Sequence, residues 1–105
     1  MTGYVVIVDF RLYPGMGTAF RRLVDANARI SAGTEPSCRR FDVVEPHEDR
    51  DRVLLVEVYD DEAGFDAHVR SDHYKHFDTE SAPLVSAKSV LRGELVFEGR
   101  SAAQT

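Results

Sequence analysis

The chain has 105 residues, 43% hydrophobic and 30% charged, with a formal net charge of -5. That length supports one domain, whose fold gains from a partner surface because small domains bury a modest fraction of their chain. The acidic balance argues against nucleic acid, which needs a basic face, and against an anionic membrane surface.

Cys38 is the single cysteine, so no intrachain disulfide forms and a cytoplasmic, reducing location is expected. Residues 1–10 lack a basic leader segment, and Asp9 interrupts their apolar run. They read as neither a signal peptide nor a transmembrane helix.

Residues 4–12 are rich in Val, Ile and Phe and predict a strand. Tyr13-Pro14-Gly15 is a turn. Helical spacing covers residues 16–32, with Met16, Phe20, Leu23, Val24, Asn27, Ile30 and Ser31 on one face; Gly33 and Thr34 end it. Residues 38–45 predict a second strand, 46–51 a charged connection and 52–59 a third strand.

Asp60 or Asp61 caps a helix whose inner stripe is Phe65, His68 and Val69. Ser71 breaks it and caps a second piece over residues 72–85, with Tyr74, Phe77, Ser81 and Leu84 inward and Pro83 weakening its end. Residues 88–98 predict the last strand. The domain is read as residues 1–98, with a fraying tail over 99–105.

This order is β-α-β-β-α-β, an α+β ferredoxin-like plan with an antiparallel sheet and both helices on one face. The third strand alternates Val53, Leu55, Glu57 and Tyr59 against Leu54, Val56 and Val58. Both faces are largely apolar, as they are in the first strand. Helices cover one face only, so a homodimer with sheet packed on sheet is expected.

Chemistry concentrates in residues 57–76, which hold Glu57, Tyr59 and three of the four histidines. Asn27 lies within about 20° of Phe20 on the first helix's apolar stripe. It is either a buried amide bonded to nearby backbone or a pocket residue. His68 faces inward, as a satisfied semi-buried histidine or as a base. His73 lies within about 40° of Phe77, whereas His76 is about 100° away and reads as a solvated flank. Tyr74 is core or pocket wall.

Glu57 sits in an apolar setting, where a carboxylate is paired or neutral. It is a structural partner, a base or the group that orients a histidine. Arg40 and Asp42 share a strand face and are candidates for the same polar set. The spacing of His68, His73 and His76 matches no usual zinc pattern, so no metal is expected. There is no phosphate-binding loop, dinucleotide fingerprint or nucleophile-elbow motif, and no cofactor is expected.

Four segments carry a resemblance: Glu35-Pro36-Ser37-Cys38, Arg40-Phe41-Asp42-Val43, Glu57-Val58-Tyr59, and His68-Val69-Arg70-Ser71-Asp72-His73. In this order the chain resembles the antibiotic biosynthesis monooxygenase family of dimeric α+β-barrel proteins. The nearest branch holds quinol monooxygenases and isomerases of phosphorylated autoinducer-2. Ser37 stands where that family has Gly, and Ala87-Lys88 where it often has Pro-Arg. The absence of Trp argues against the haem-degrading branch.

The resemblance implies a cofactor-free monooxygenase acting on a small quinol-like or polyketide-like aromatic. His68 or His73 would be the base, with Glu57 orienting a histidine. Asn27, Tyr59, Tyr74 and Arg40 would bind substrate. One alternative is an isomerase of a small dicarbonyl phosphate, with Lys88 or Arg40 on the phosphate. The other is a non-catalytic binding or stress-associated dimer.

Overall fold

A computed structural model describes residues 2–102. Four strands, β1 (Gly3–Leu12), β2 (Cys38–Val44), β3 (Arg52–Tyr59) and β4 (Val85–Leu95), form one antiparallel sheet in the order β2-β3-β1-β4. The helices are α1 (Gly17–Thr34), α2 (Glu62–Val69) and α3 (Asp72–Ser81), followed by a 3₁₀ turn over Ala82–Leu84. This is the ferredoxin-like α+β plan, with its second helix divided into α2 and α3.

Strand alternation builds the core. Val6, Val8 and Phe10 of β1 pair with Glu57, Leu55 and Val53 of β3, and all six are buried on the helical side. α1 lays Phe20, Val24, Asn27, Ala28 and Ser31 against them. Phe10, Phe20 and Phe77 meet with ring centroids 4.9–6.0 Å apart, two of the three contacts edge-on. Phe20 is fully buried, and its truncation to Ala would cost about 3–5 kcal/mol. The far sheet face carries half-buried Val5, Ile7, Leu54, Val56 and Val58, with Val44 and Leu91 exposed.

Several boundaries differ from expectation. α1 continues through Gly33 to Thr34, and Glu35 is its extended C-cap. Pro36 disfavours helical backbone at the residue before it, so the helix stops there rather than at the glycine. Ile30 is exposed, and Ala28 takes the inward position instead. α3 ends at Ser81, because Pro83 cannot supply a helical N–H and the chain tightens to a 3₁₀ turn. β4 consequently begins at Val85 and ends at Leu95, opposite Gly3 at the start of β1. Of the expected tail, residues 103–105 lie outside the described residues.

Candidate active site

The corner between α2 and α3 positions the histidines. Asp61 caps α2 by accepting from the Gly64 N–H at 2.9 Å. Gly64 lets α2 approach the loop after α1: a Cβ there would lie 2.6 Å from Ser37 Cβ. Ser71 caps α3 by accepting from the Tyr74 N–H at 3.2 Å, and its hydroxyl donates to the His68 carbonyl at 2.6 Å. His68, on the last turn of α2, is thus pinned through backbone and helix packing.

His68 is buried beneath Phe41, Tyr59, Phe65 and Tyr74. Its Nδ1 lies 2.8 Å from Glu35 Oε2 and 3.3 Å from Ser31 Oγ. The same Glu35 oxygen is 2.5 Å from His73 Nε2. An ionised carboxylate only accepts, so His68 carries its proton on Nδ1 and keeps the Nε2 lone pair. Burial holds the His68 pKa below its ordinary value, with Glu35 pulling in the opposite direction. The neutral imidazole is therefore the form present at neutral pH.

A cavity of about 190 Å³ adjoins this histidine. Its wall is largely apolar, with Val6, Val8, Leu55, Phe65 and Phe77. Its polar groups are Asn27, Glu57, His68 and Tyr74, with Lys88 and Arg92 from β4. The Asn27 Oδ1 is buried and has no hydrogen-bond partner among the described residues. Glu57 accepts from the Tyr59 hydroxyl at 2.6 Å. Burial raises its pKa to about 7, against the opposing pulls of the Tyr59 hydrogen bond and the Lys88 charge.

The expected site residues therefore separate. Asn27, Glu57, His68 and Tyr74 line the cavity together. His73 is half-buried behind Glu35, while His76 and His47 are exposed. Tyr59 is fully buried and bonded to Glu57 rather than lining the cavity. Burial and the Glu57 charge raise its pKa, so it stays a neutral donor.

Glu57 was expected to orient a histidine; Glu35 does so instead. Glu57 emerges from the middle of the sheet and meets Tyr59 two residues along the same strand face. Arg40 is not at the cavity. Arg40 and Asp42 lie opposite Val58 and Val56, so strand alternation sends them to the far face, where they pair with each other. Glu35 lies in the Glu35-Pro36-Ser37-Cys38 segment, where a loop residue has no periodicity to reveal where its side chain points. Cys38 is a buried thiol, its pKa pushed up to about 11 chiefly by burial.

Glu35, His68 and His73 place three possible metal-ligating atoms within 4.8 Å of one another. A divalent ion would need about 2.0–2.2 Å to each, with Glu35 Oε2 drawn away from its present hydrogen bonds. Carboxylate–imidazole hydrogen bonding accounts for the geometry as it stands.

The model of the antibiotic biosynthesis monooxygenase family matches residues 3–80. The chain belongs to that family. Among solved structures, a Nitrosomonas europaea protein named for antibiotic biosynthesis monooxygenases is 24% identical, with a TM-score of 0.87 over 90% of this chain and 91% of that one. A Bacteroides thetaiotaomicron protein similarly named is 18% identical, with a TM-score of 0.87 over 94% of each chain. A Mycobacterium tuberculosis protein is 26% identical, with a TM-score of 0.78 over 95% of this chain and 99% of that one. No curated protein sequence matches the chain. These likenesses carry the fold and leave the chemistry to this chain's own residues. Among the described residues, no helix is long and apolar enough to cross a membrane.

Proposed function

We propose that this member of the family is a cofactor-independent monooxygenase acting on a single-ring quinol. The observation that carries the reading is the His68 Nε2, which has no hydrogen-bond partner among the described residues, on an imidazole kept neutral by burial and oriented by Glu35, beside a largely apolar cavity. A cavity of about 150 Å³ accommodates a benzene ring, so one of about 190 Å³ suits one substituted ring rather than a polycycle.

His68 Nε2 takes a phenolic proton. The phenolate passes one electron to O2, and the resulting pair combines to form a ring C–O bond. The proton held by His68 returns to the distal oxygen. Loss of the ring C–H proton with cleavage of the O–O bond then releases water. Hydroquinone plus O2 thus gives hydroxybenzoquinone plus water, with the substrate supplying every electron. Glu35 stabilises the imidazolium in the first step, and His73 holds Glu35 in place. Tyr59 orients Glu57, and Asn27 and Tyr74 orient the ring.

One domain over residues 1–98 acts as half of a homodimer, joined through the far sheet face. The apolar residues there (Val5, Ile7, Leu54, Val56, Val58 and Leu91) support that pairing. The unpaired thiol of Cys38 suits a cytoplasmic setting.

Lys88 and Arg92 favour one second reading, an isomerase of a dicarbonyl phosphate. An oxygen electrode separates the two: hydroquinone should drive oxygen uptake, whereas turnover of a dicarbonyl phosphate without uptake would establish the isomerase. The unengaged Nε2 and the cavity beside it count against a purely non-catalytic dimer.

A further inference from the structure

The mouth of the cavity inverts the charge of the molecule. The chain carries a net charge of -5, yet the charged side chains that β4 sends to this cavity are Lys88 and Arg92. They lie opposite Phe10 and Val6 on the helical side of the sheet, with Val90 between them opposite Val8. The Lys88 ammonium stands 5.5 Å from the Phe10 ring centroid and the Arg92 guanidinium 5.0 Å from that of Phe65. Both charged heads thus stand over cavity-wall aromatics while their side chains stay exposed at the edge. Among the described residues, neither has an ion-pair partner; the Arg92 guanidinium reaches only the Tyr4 hydroxyl, at 3.5 Å.

Deeper in, the polar groups are of the opposite character. Asn27 is 2% exposed with Oδ1 unpartnered among the described residues, and His68 offers the Nε2 lone pair. A ligand satisfying this arrangement is planar, presents hydroxyl donors inward and carries negative charge at its outer end. The carboxyl of Glu57 also lines the cavity and feels the Lys88 charge.

We propose that the cavity selects a single-ring phenol bearing an acidic substituent, held at the mouth by Lys88 and Arg92, with its hydroxyls on His68 Nε2 and Asn27 Oδ1. This rests on reading the cavity as a quinol site and names the quinol's class: an aryl acid. Two cations beside apolar surface also steer such an anion toward an otherwise acidic protein.

Anaerobic calorimetry of the wild-type protein with hydroquinone, 2,5-dihydroxybenzoate and 4-hydroxyphenyl phosphate tests it without turnover. One acidic probe should bind at least about tenfold more tightly than hydroquinone, as charge-assisted hydrogen bonds allow. The preferred acid identifies carboxylate or phosphate. The preference should shrink at high salt and vanish in K88M/R92M. Equal affinities of all three for the wild-type protein, or a preference that K88M/R92M retains, would overturn it. Oxygen uptake is read separately: tight aryl-acid binding without uptake keeps the ligand class and discards the oxygenase, and uptake with equal affinities does the reverse.

Discussion

Glu35 Oε2 lies 2.8 Å from His68 Nδ1, and that contact decides which imidazole nitrogen remains available to the cavity. It joins the end of α1 to the last turn of α2, two elements separated by two strands in sequence. The extended backbone before Pro36 holds Glu35 at the C-cap, and Gly64 brings α2 close enough to meet it.

A first prediction concerns pH. The base works unprotonated, and burial keeps the His68 pKa below 6.5. The rate should therefore rise as pH climbs through a value below 6.5. It should fall again near pH 7, as Glu57 ionises and opposes phenolate formation beside it. Glu35→Gln keeps an acceptor for Nδ1–H but removes the charge that raises the His68 pKa. Its acidic limb should move to lower pH, with kcat down about tenfold. A pH–rate profile with an unmoved limb would contradict the role given to Glu35.

Glu57 also makes a stability prediction. Its folded pKa of about 7 lies above the ordinary 4.5, so the native state holds a proton that the unfolded chain releases earlier. That contribution is fully present below pH 4.5 and is lost as pH rises through 7. Glu57→Gln keeps an acceptor for Tyr59 without the charge. It should raise Tm relative to wild type at pH 8, by a free energy of order 3 kcal/mol at most, and leave little difference at pH 4.5. Thermal melts showing the same gap at both pH values would speak against a carboxyl kept neutral by burial.

Gly64 yields a packing prediction. In Gly64→Ala the new methyl meets Ser37 Cβ at 2.6 Å, so α2 must shift away from the Glu35 loop. The loss should be about 1–3 kcal/mol in denaturant unfolding. Ser37→Gly in the same chain removes the collision and should restore most of it. A double variant no more stable than Gly64→Ala would locate the strain elsewhere.

Zinc provides a fourth test. EDTA should leave turnover unchanged, since the proposed chemistry needs only the imidazole. Added Zn²⁺ should inhibit by capturing Glu35, His68 and His73, and EDTA should reverse this. Loss of activity on chelation alone would make the trio a working metal site.

The fold was legible because its signals are local and periodic. Alternation in β1 and β3, the caps at Asp61 and Ser71, and the stripe through Phe20, Val24 and Asn27 each show in a few consecutive residues. The inward turn of His68 followed from helical spacing. Its partner did not, because Glu35 and His68 are 33 residues apart and meet only through packing. Arg40 shows the converse. Alternation separated it from Phe41, but only pairing with β3 revealed which face the helices cover.

Oxygen uptake by His68→Gln, compared with wild type under saturating hydroquinone, tests the central assignment most directly. Loss of the general base should lower kcat by about 10²–10⁴-fold while circular dichroism remains native. Uptake at the wild-type rate in a folded His68→Gln protein would contradict it.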